Sequence, residues 1–221
     1  MRNGVRLVLF DLDGTLADTA PDLAGAVNRM LSARGIAPLP IDELRPLASH
    51  GARGLVGRAF GVTPEEPGFD ELRQEFFREY ESALCVQSTL FPSVAETLAE
   101  FDATGVLWGI VTNKIARFTQ PLVAALGLAE RAACVVSGDT TPFPKPHPAP
   151  LLHALEATRV TANAAFYVGD DRRDVEAGRA AGVRTVVAGY GYLGDGGPCT
   201  QWGADHIIEA PSELVALIKA Q

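Results

Sequence analysis

Asp11 and Asp13 stand two residues apart in Asp11-Leu12-Asp13-Gly14-Thr15, directly after the apolar run Val5 to Phe10. A carboxylate pair at the end of a buried strand can supply a nucleophile, an acid/base and hard oxygen ligands for magnesium. The strand-end loops of open α/β sheets are also where such folds place ligands. The same residue types serve turns and helix caps, so the pair alone leaves a structural reading open. Three more groups follow apolar runs: Thr112-Asn113, Lys145-Pro146-His147-Pro148, and Gly169-Asp170-Asp171 with Asp174. Singly they are ordinary, since Thr-Asn and Asp cap helices and a lysine is usually solvated. In order along the chain they supply the parts of magnesium-assisted phosphoryl transfer: a nucleophile, a hydroxyl and amide to hold phosphate, a cation for developing charge and a distal metal carboxylate.

For these groups to converge, several strand ends must reach one edge of one sheet. The runs Leu107 to Val111, Ala133 to Val136, Ala164 to Val168 and Thr185 to Ala188 are apolar on successive residues, the pattern of strands buried on both faces. Between them, Val94, Leu98 and Phe101 recur at helical spacing before Gly105, and Val175 to Ala181 ends at Gly182. Alternating strand and helix predicts a parallel sheet with crossover helices. From Ala17 to Thr89 the alternation stops and the pattern is helical, with Pro21 near the start of a helix that Gly35 ends and another over Phe69 to Leu84. This segment reads as an inserted cap. The stripe Phe69, Leu72, Phe76, Phe77 and Tyr80 reads as packing within it.

With 221 residues and 47% hydrophobic content, the chain can form one large domain or a core with an insertion. Nineteen basic against 27 acidic residues, formally -8, exclude a general binder of nucleic acid or anionic membrane, so substrate phosphate must be held by local groups. Cys85, Cys134 and Cys199 have no metal-like spacing, and no signal peptide is expected before the first strand, which fits a reducing cytoplasm. No apolar segment reaches membrane-spanning length. His50, His153 and His206 lack ligand spacing, and His147 sits as a bystander on a loop stiffened by Pro146 and Pro148. Gly189 to Gly197 lacks the glycine spacing of a dinucleotide site.

The motifs Asp11-Leu12-Asp13-Gly14-Thr15, Thr112, Lys145 and Gly169-Asp170 resemble, in order, those of the phosphatases of the haloacid dehalogenase superfamily. The chain as a whole is similar to phosphoglycolate phosphatases. More narrowly, His50-Gly51-Ala52-Arg53, Gly169-Asp170-Asp171-Arg172-Arg173-Asp174, Tyr190-Gly191-Tyr192 and Trp202-Gly203-Ala204-Asp205 resemble the bacterial N-acetylmuramic acid 6-phosphate phosphatases. The resemblance implies an α/β fold, a Rossmann-like parallel core over residues 1–16 and 90–221 with a helical cap over 17–89. It implies that Asp11 attacks phosphorus to give an aspartyl phosphate, while Asp13 protonates the leaving alkoxide and then activates water. Mg2+ would be held by the carboxylates of Asp11 and Asp170 and the backbone carbonyl of Asp13. Thr112 and Asn113 would bind the phosphoryl group and Lys145 would neutralise it. Asp174 would hold Lys145 or a metal-bound water, with Asp171 an equal candidate because most members carry Ser there. Arg172 and Arg173 read as surface residues.

Two glycines flank Arg53 in Gly51-Ala52-Arg53-Gly54, so this cap segment could present backbone amides and a guanidinium to an anion. Gly51 and Arg53 are therefore expected to face the core and recognise a substrate carboxylate. The expected activity is magnesium-dependent hydrolysis of a small phosphorylated metabolite, 2-phosphoglycolate or N-acetylmuramic acid 6-phosphate, by a monomer or homodimer. A sugar-phosphate mutase of the same superfamily and a non-catalytic regulatory protein on this fold are the alternatives.

Overall fold

The computed structural model describes residues 4–194 and 196–220. Six parallel strands form one sheet: β1 (Leu7–Phe10), β4 (Leu107–Val111), β5 (Val135–Val136), β6 (Ala165–Gly169), β7 (Arg184–Ala188) and β8 (His206–Ile208). Their spatial order is β5-β4-β1-β6-β7-β8, so the first strand lies at the centre, flanked by the second and fourth of the six. This is the doubly wound arrangement, in which the crevice at the reversal of strand order receives ligands. All of β1 is buried, and its side chains alternate between two cores. Val8 and Phe10 pack with α5 (Val94–Thr104), α6 (Ala116–Ala125) and α9 (Glu213–Lys219), whereas Leu7 and Leu9 pack with α7 (Ala149–Thr158) and α8 (Arg172–Ala180). A strand covered on both faces has no polar side, hence its unbroken apolar sequence.

The strands are shorter than the apolar runs suggest. Val5 and Arg6 precede β1, and the run Ala133 to Val136 pairs as β5 only through Val135 and Val136, against Ile110 and Val111 at the sheet's edge. No helix among the described residues is long and apolar enough to cross a membrane. The three cysteines are unpaired.

Between β1 and α5 the chain forms α1 (Ala20–Ser32), α2 (Ile41–Leu44), a 3-10 turn (Arg45–His50), α3 (Gly51–Phe60) and α4 (Phe69–Ser82). These share an apolar cluster of their own, including Leu23, Met30, Leu44, Leu55, Phe69, Phe76 and Tyr80, which continues to Phe118 and Tyr192. The segment is not helical throughout, as the sequence suggested. Its two crossings to the sheet pair as an antiparallel ribbon, β2 (Ala17–Asp18) with β3 (Thr89–Leu90). Just beyond the ribbon, the buried carboxylate of Asp22 accepts hydrogen bonds from the amides of Val86, Gln87 and Ser88 and from the Ser88 hydroxyl at 2.7–3.0 Å, which fastens the outgoing to the incoming chain.

Candidate active site

The central strand β1 delivers Asp11, whose N–H continues the ladder to Val168 O at 2.9 Å. Beyond it the chain turns back tightly, with Leu12 O accepting from Leu16 and Ala17. Gly14 has φ +82°, and a Cβ there would lie 2.2 Å from Asp170 Oδ2, so any other residue would drive the second aspartate away from the first. Asp170 follows β6 and is fully buried; it takes the Thr15 hydroxyl on Oδ1 and the Tyr192 N–H on Oδ2, each at 2.9 Å. Among the described residues it has no basic partner. Oxygens of Asp11, Asp170 and Asp174 lie within 4.8 Å of one another, a set that could hold a hard metal ion.

Asp174 is engaged elsewhere, because it anchors Lys145. The Lys145 ammonium, buried, donates to Asp174 Oδ1 and the Tyr167 hydroxyl at 2.7 Å, and lies 3.0 Å from Asp11 Oδ1. Its backbone is clamped by the Asn113 side chain, which donates to Lys145 O and accepts from Lys145 N, both at 2.9 Å. Thr112 is buried at the end of β4, and its hydroxyl oxygen accepts from Lys114 N at 3.2 Å. His147 turns Nδ1 to the Ala149 N–H at the start of α7, away from the acidic cluster.

Asp13 is held from two sides. Lys114 Nζ donates to both its oxygens at 2.9 and 3.1 Å, and the Thr19 hydroxyl donates to Oδ1. Lys114 also lies 4.8 Å from the centre of the Tyr80 ring on α4, so this buried cation joins the sheet edge to the helical segment.

Crowding of charge sets the protonation of these groups. Burial pushes the Asp11 carboxyl up to about 6; Lys145 opposes the rise, and Asp174 and Asp13 add to it. Asp170 is raised well above the usual carboxylate range by burial and by Asp11 and Asp174. Burial alone would lower Lys145 and Lys114, yet neighbouring Asp11 and Asp174 in the first case, and Asp13 and Tyr80 in the second, hold both above the ordinary lysine value. Asp171 is held low in spite of burial by hydrogen bonds from Arg173.

A cavity of about 250 Å³ between the sheet and the helical segment is lined by Asp11, Asp13, Thr112, Lys114, Lys145 and Arg173. Leu23, Ala52, Phe76, Phe77, Tyr80 and Phe118 also line it. The pocket thus combines charged and aromatic side chains.

Residues 8–188 match the haloacid dehalogenase-like hydrolases. The chain belongs to that family. It is of the phosphatase type: it is 42% identical over 214 residues to an N-acetylmuramic acid 6-phosphate phosphatase of Pseudomonas putida, covering 97% of this chain and 96% of that one. It is 44% identical over 210 residues to a phosphoglycolate phosphatase of Xanthomonas campestris, covering 95% and 94%. A crystal structure of a predicted phosphoglycolate phosphatase from Haemophilus somnus superposes with a TM-score of 0.85 at 29% identity over 98% of this chain and 99% of that chain.

In this hydrolase the structure gathers Asp11, Asp13, Thr112, Lys145, Asp170 and Asp174 at one edge of the sheet, and it revises four expectations. Arg53 does not face the site: it is exposed and absent from the cavity lining, although Gly51 and Ala52 are part of it. Gly51 is required by its backbone, φ 55° with ψ -142°, at the junction of the 3-10 turn and α3, and Gly54 by close packing, since a Cβ would lie 2.9 Å from Leu47 O. Arg173 is not a surface residue: it lines the cavity, pairs with Asp171 at 2.7 Å and donates to Ser49 O of the 3-10 turn at 2.9 Å. Arg172 is exposed and pairs with Glu176, as expected. The aromatic stripe packs within the cap, and Phe76, Phe77 and Tyr80 of it line the pocket as well. Asn113 lines the cavity, but its side-chain amide is spent on the Lys145 backbone, and of the two rival carboxylates Asp174 holds Lys145 whereas Asp171 caps α8 and grips Arg173. Lys114 was missed by sequence reasoning, though it directly follows Thr112-Asn113.

Proposed function

We propose that this protein is a magnesium-dependent phosphomonoesterase that works through an aspartyl phosphate on Asp11. The observation that carries the reading is the pairing of two adjacent carboxylates with two different buried cations: Lys145 Nζ is 3.0 Å from Asp11 Oδ1, and Lys114 Nζ is 2.9 Å from Asp13 Oδ1. The Leu12 N–H also falls on Asp11 Oδ1, at 2.7 Å, which leaves Oδ2 to attack phosphorus in line while the bond to the leaving oxygen breaks. Asp13 gives its proton to the departing alkoxide, then takes one from the water that cleaves the aspartyl phosphate and frees Asp11. Thr112 donates its hydroxyl to a phosphoryl oxygen, the Asn113 clamp fixes the Lys145 backbone, and Asp174 positions the Lys145 ammonium.

The donor set fits a hard divalent cation, because buried Asp170 has no basic partner among the described residues and lies beside Asp11, so that ionising both carboxylates calls for a cation between them. Asp11, Asp170 and the backbone carbonyl of Asp13 would hold Mg2+. When bound, the ion offsets the charge of the phosphoryl oxygens and lets a phosphate dianion approach a carboxylate.

The substrate is a small phosphorylated metabolite, and the cavity favours N-acetylmuramic acid 6-phosphate over 2-phosphoglycolate. Phe76, Phe77, Tyr80 and Phe118 can bury the apolar face of a sugar ring and an acyl group. The arginine of the lining that a glycolate carboxylate would meet, Arg173, is already paired with Asp171. We further divide the chain into a core over residues 1–16 and 90–221 and a cap over 17–89, hinged at the β2–β3 ribbon, and place it in the cytoplasm, where its unpaired cysteines stay reduced. A phosphate-release assay on both compounds tests the reading. Faster hydrolysis of 2-phosphoglycolate would overturn the substrate, and no release from either compound or from p-nitrophenyl phosphate would overturn the activity.

A further inference from the structure

The loop after β7 contains Tyr190-Gly191-Tyr192, a motif to which the reaction above assigns no part. It is wedged between the carboxylate cluster and the start of the helical segment. A Cβ on Gly191 would sit 2.3 Å from Asp170 Cβ and 2.4 Å from Gly14 O, so the backbone passes as close to both loops as a chain can. The Tyr192 N–H holds Asp170, and its hydroxyl reaches the opposite way: it accepts from Thr19 N at 2.7 Å and Ala20 N at 2.9 Å, and donates to Asp18 Oδ1 at 2.9 Å. Arg45 of the 3-10 turn donates to the same Asp18 oxygen at 2.6 Å, with its guanidinium 5.8 Å from the Tyr192 ring centre.

The start of α1 is irregular. Thr19 is the N-cap of α1, a position where a threonine hydroxyl ordinarily accepts from the helix's first amides, yet it makes no such bond. Pro21 has no N–H to offer, and the Thr19 and Ala20 amides are taken by the tyrosine hydroxyl. The Thr19 hydroxyl, carried on the residue whose amide Tyr192 holds, donates to Asp13.

We propose that Tyr192 is a positioning residue for Asp13: by holding the Thr19 and Ala20 amides, it fixes in place the residue whose hydroxyl orients the acid/base carboxylate. The proposal rests on the catalytic part given to Asp13 above. Tyr192→Phe keeps the ring and the N–H that holds Asp170 and removes only the hydroxyl; Thr19→Val removes the hydroxyl that reaches Asp13. Each should lower kcat roughly tenfold, the scale of a misaligned catalytic group, with KM nearly unchanged. Because both act on one bond, the double variant should be no slower than the slower single variant. Losses that multiply, or a wild-type kcat in Tyr192→Phe, overturn the proposal, since two independent sites would add in free energy. If Tyr192→Phe does not fold, Thr19→Val decides alone, and full activity in it breaks the link to Asp13. Amide hydrogen exchange provides a readout independent of turnover. Exchange at Thr19 and Ala20 should be slow in the wild type and accelerated in Tyr192→Phe, and unchanged protection would refute the hydroxyl's hold. A wild type that releases no phosphate but shows this exchange pattern would overturn the phosphatase reading and leave the capping bond standing.

Discussion

Removing the divalent cation should change how stability depends on pH, in a direction set by Asp11 and Asp170. An unfolded aspartate titrates near its ordinary value of 3.8, whereas in the cation-free fold Asp11 titrates at about 6 and Asp170 is shifted the same way. Between those values the folded state binds more protons than the unfolded state, so stability falls as pH rises through the window. For Asp11 the displacement of about 2 pH units corresponds to roughly 3 kcal/mol, present below pH 4 and lost above pH 6. A bound cation requires both carboxylates ionised and therefore competes with these protons. Its affinity should rise by about tenfold per pH unit for each proton displaced, and its stabilising effect should grow over the same window. The assay is thermal unfolding with saturating magnesium and with chelator at a series of pH values. Comparing the two at each pH cancels every group outside the site. The magnesium-dependent rise in Tm should be small at pH 5 and several degrees at pH 7.5. An equal rise at both, or none at either, would refute the assignment of these carboxylates to a metal.

Asp11→Asn should abolish turnover while far-ultraviolet circular dichroism stays unchanged, because an amide is a poor nucleophile; wild-type hydrolysis by the variant would sink the mechanism. Asp22→Ala should cost about 3 kcal/mol in denaturant unfolding, because Ser88 N–H and hydroxyl lose their partner in a buried place while the exposed Val86 and Gln87 recover water; a cost under about 1 kcal/mol would show that the ribbon does not need this fastening. Phe77→Ala should lower kcat/KM for N-acetylmuramic acid 6-phosphate about tenfold and leave 2-phosphoglycolate within about threefold, as expected for loss of one aromatic contact with a bulky leaving group; equal losses would assign Phe77 to packing alone.

The sheet was legible because a strand buried on both faces must be apolar at every position, and because the polar residues that end such runs stand out. Asp11, Thr112 and Asp170 follow β1, β4 and β6, which are neighbours in the sheet, so reading the three runs as strands already brought their ends together. Local pattern carries no such signal for pairings between distant segments. The clamp of Asn113 on Lys145, the fastening of Asp22 to Ser88 and the reach of Tyr192 to Thr19 are each made by polar residues that look like ordinary loop or cap residues in sequence.

Arg53 is a different case, because the pattern that places it was present. Ala52, Leu55, Val56 and Ala59 repeat at i, i+3, i+4 and i+7, the spacing of one buried helix face, and Arg53 lies one residue off that stripe, on the outward side. Gly51 and Gly54, poor helix formers, mask in the sequence the helix that carries this stripe. Gly51 does mark its first residue, through a backbone conformation that favours glycine, but Gly54 lies within it, where the 3-10 turn comes too close for a side chain. Position relative to the stripe, and not the presence of glycine, decides which way Arg53 points. The cation that reaches the cavity is instead Arg173, placed there by the capping box of α8 and by Ser49 across the gap.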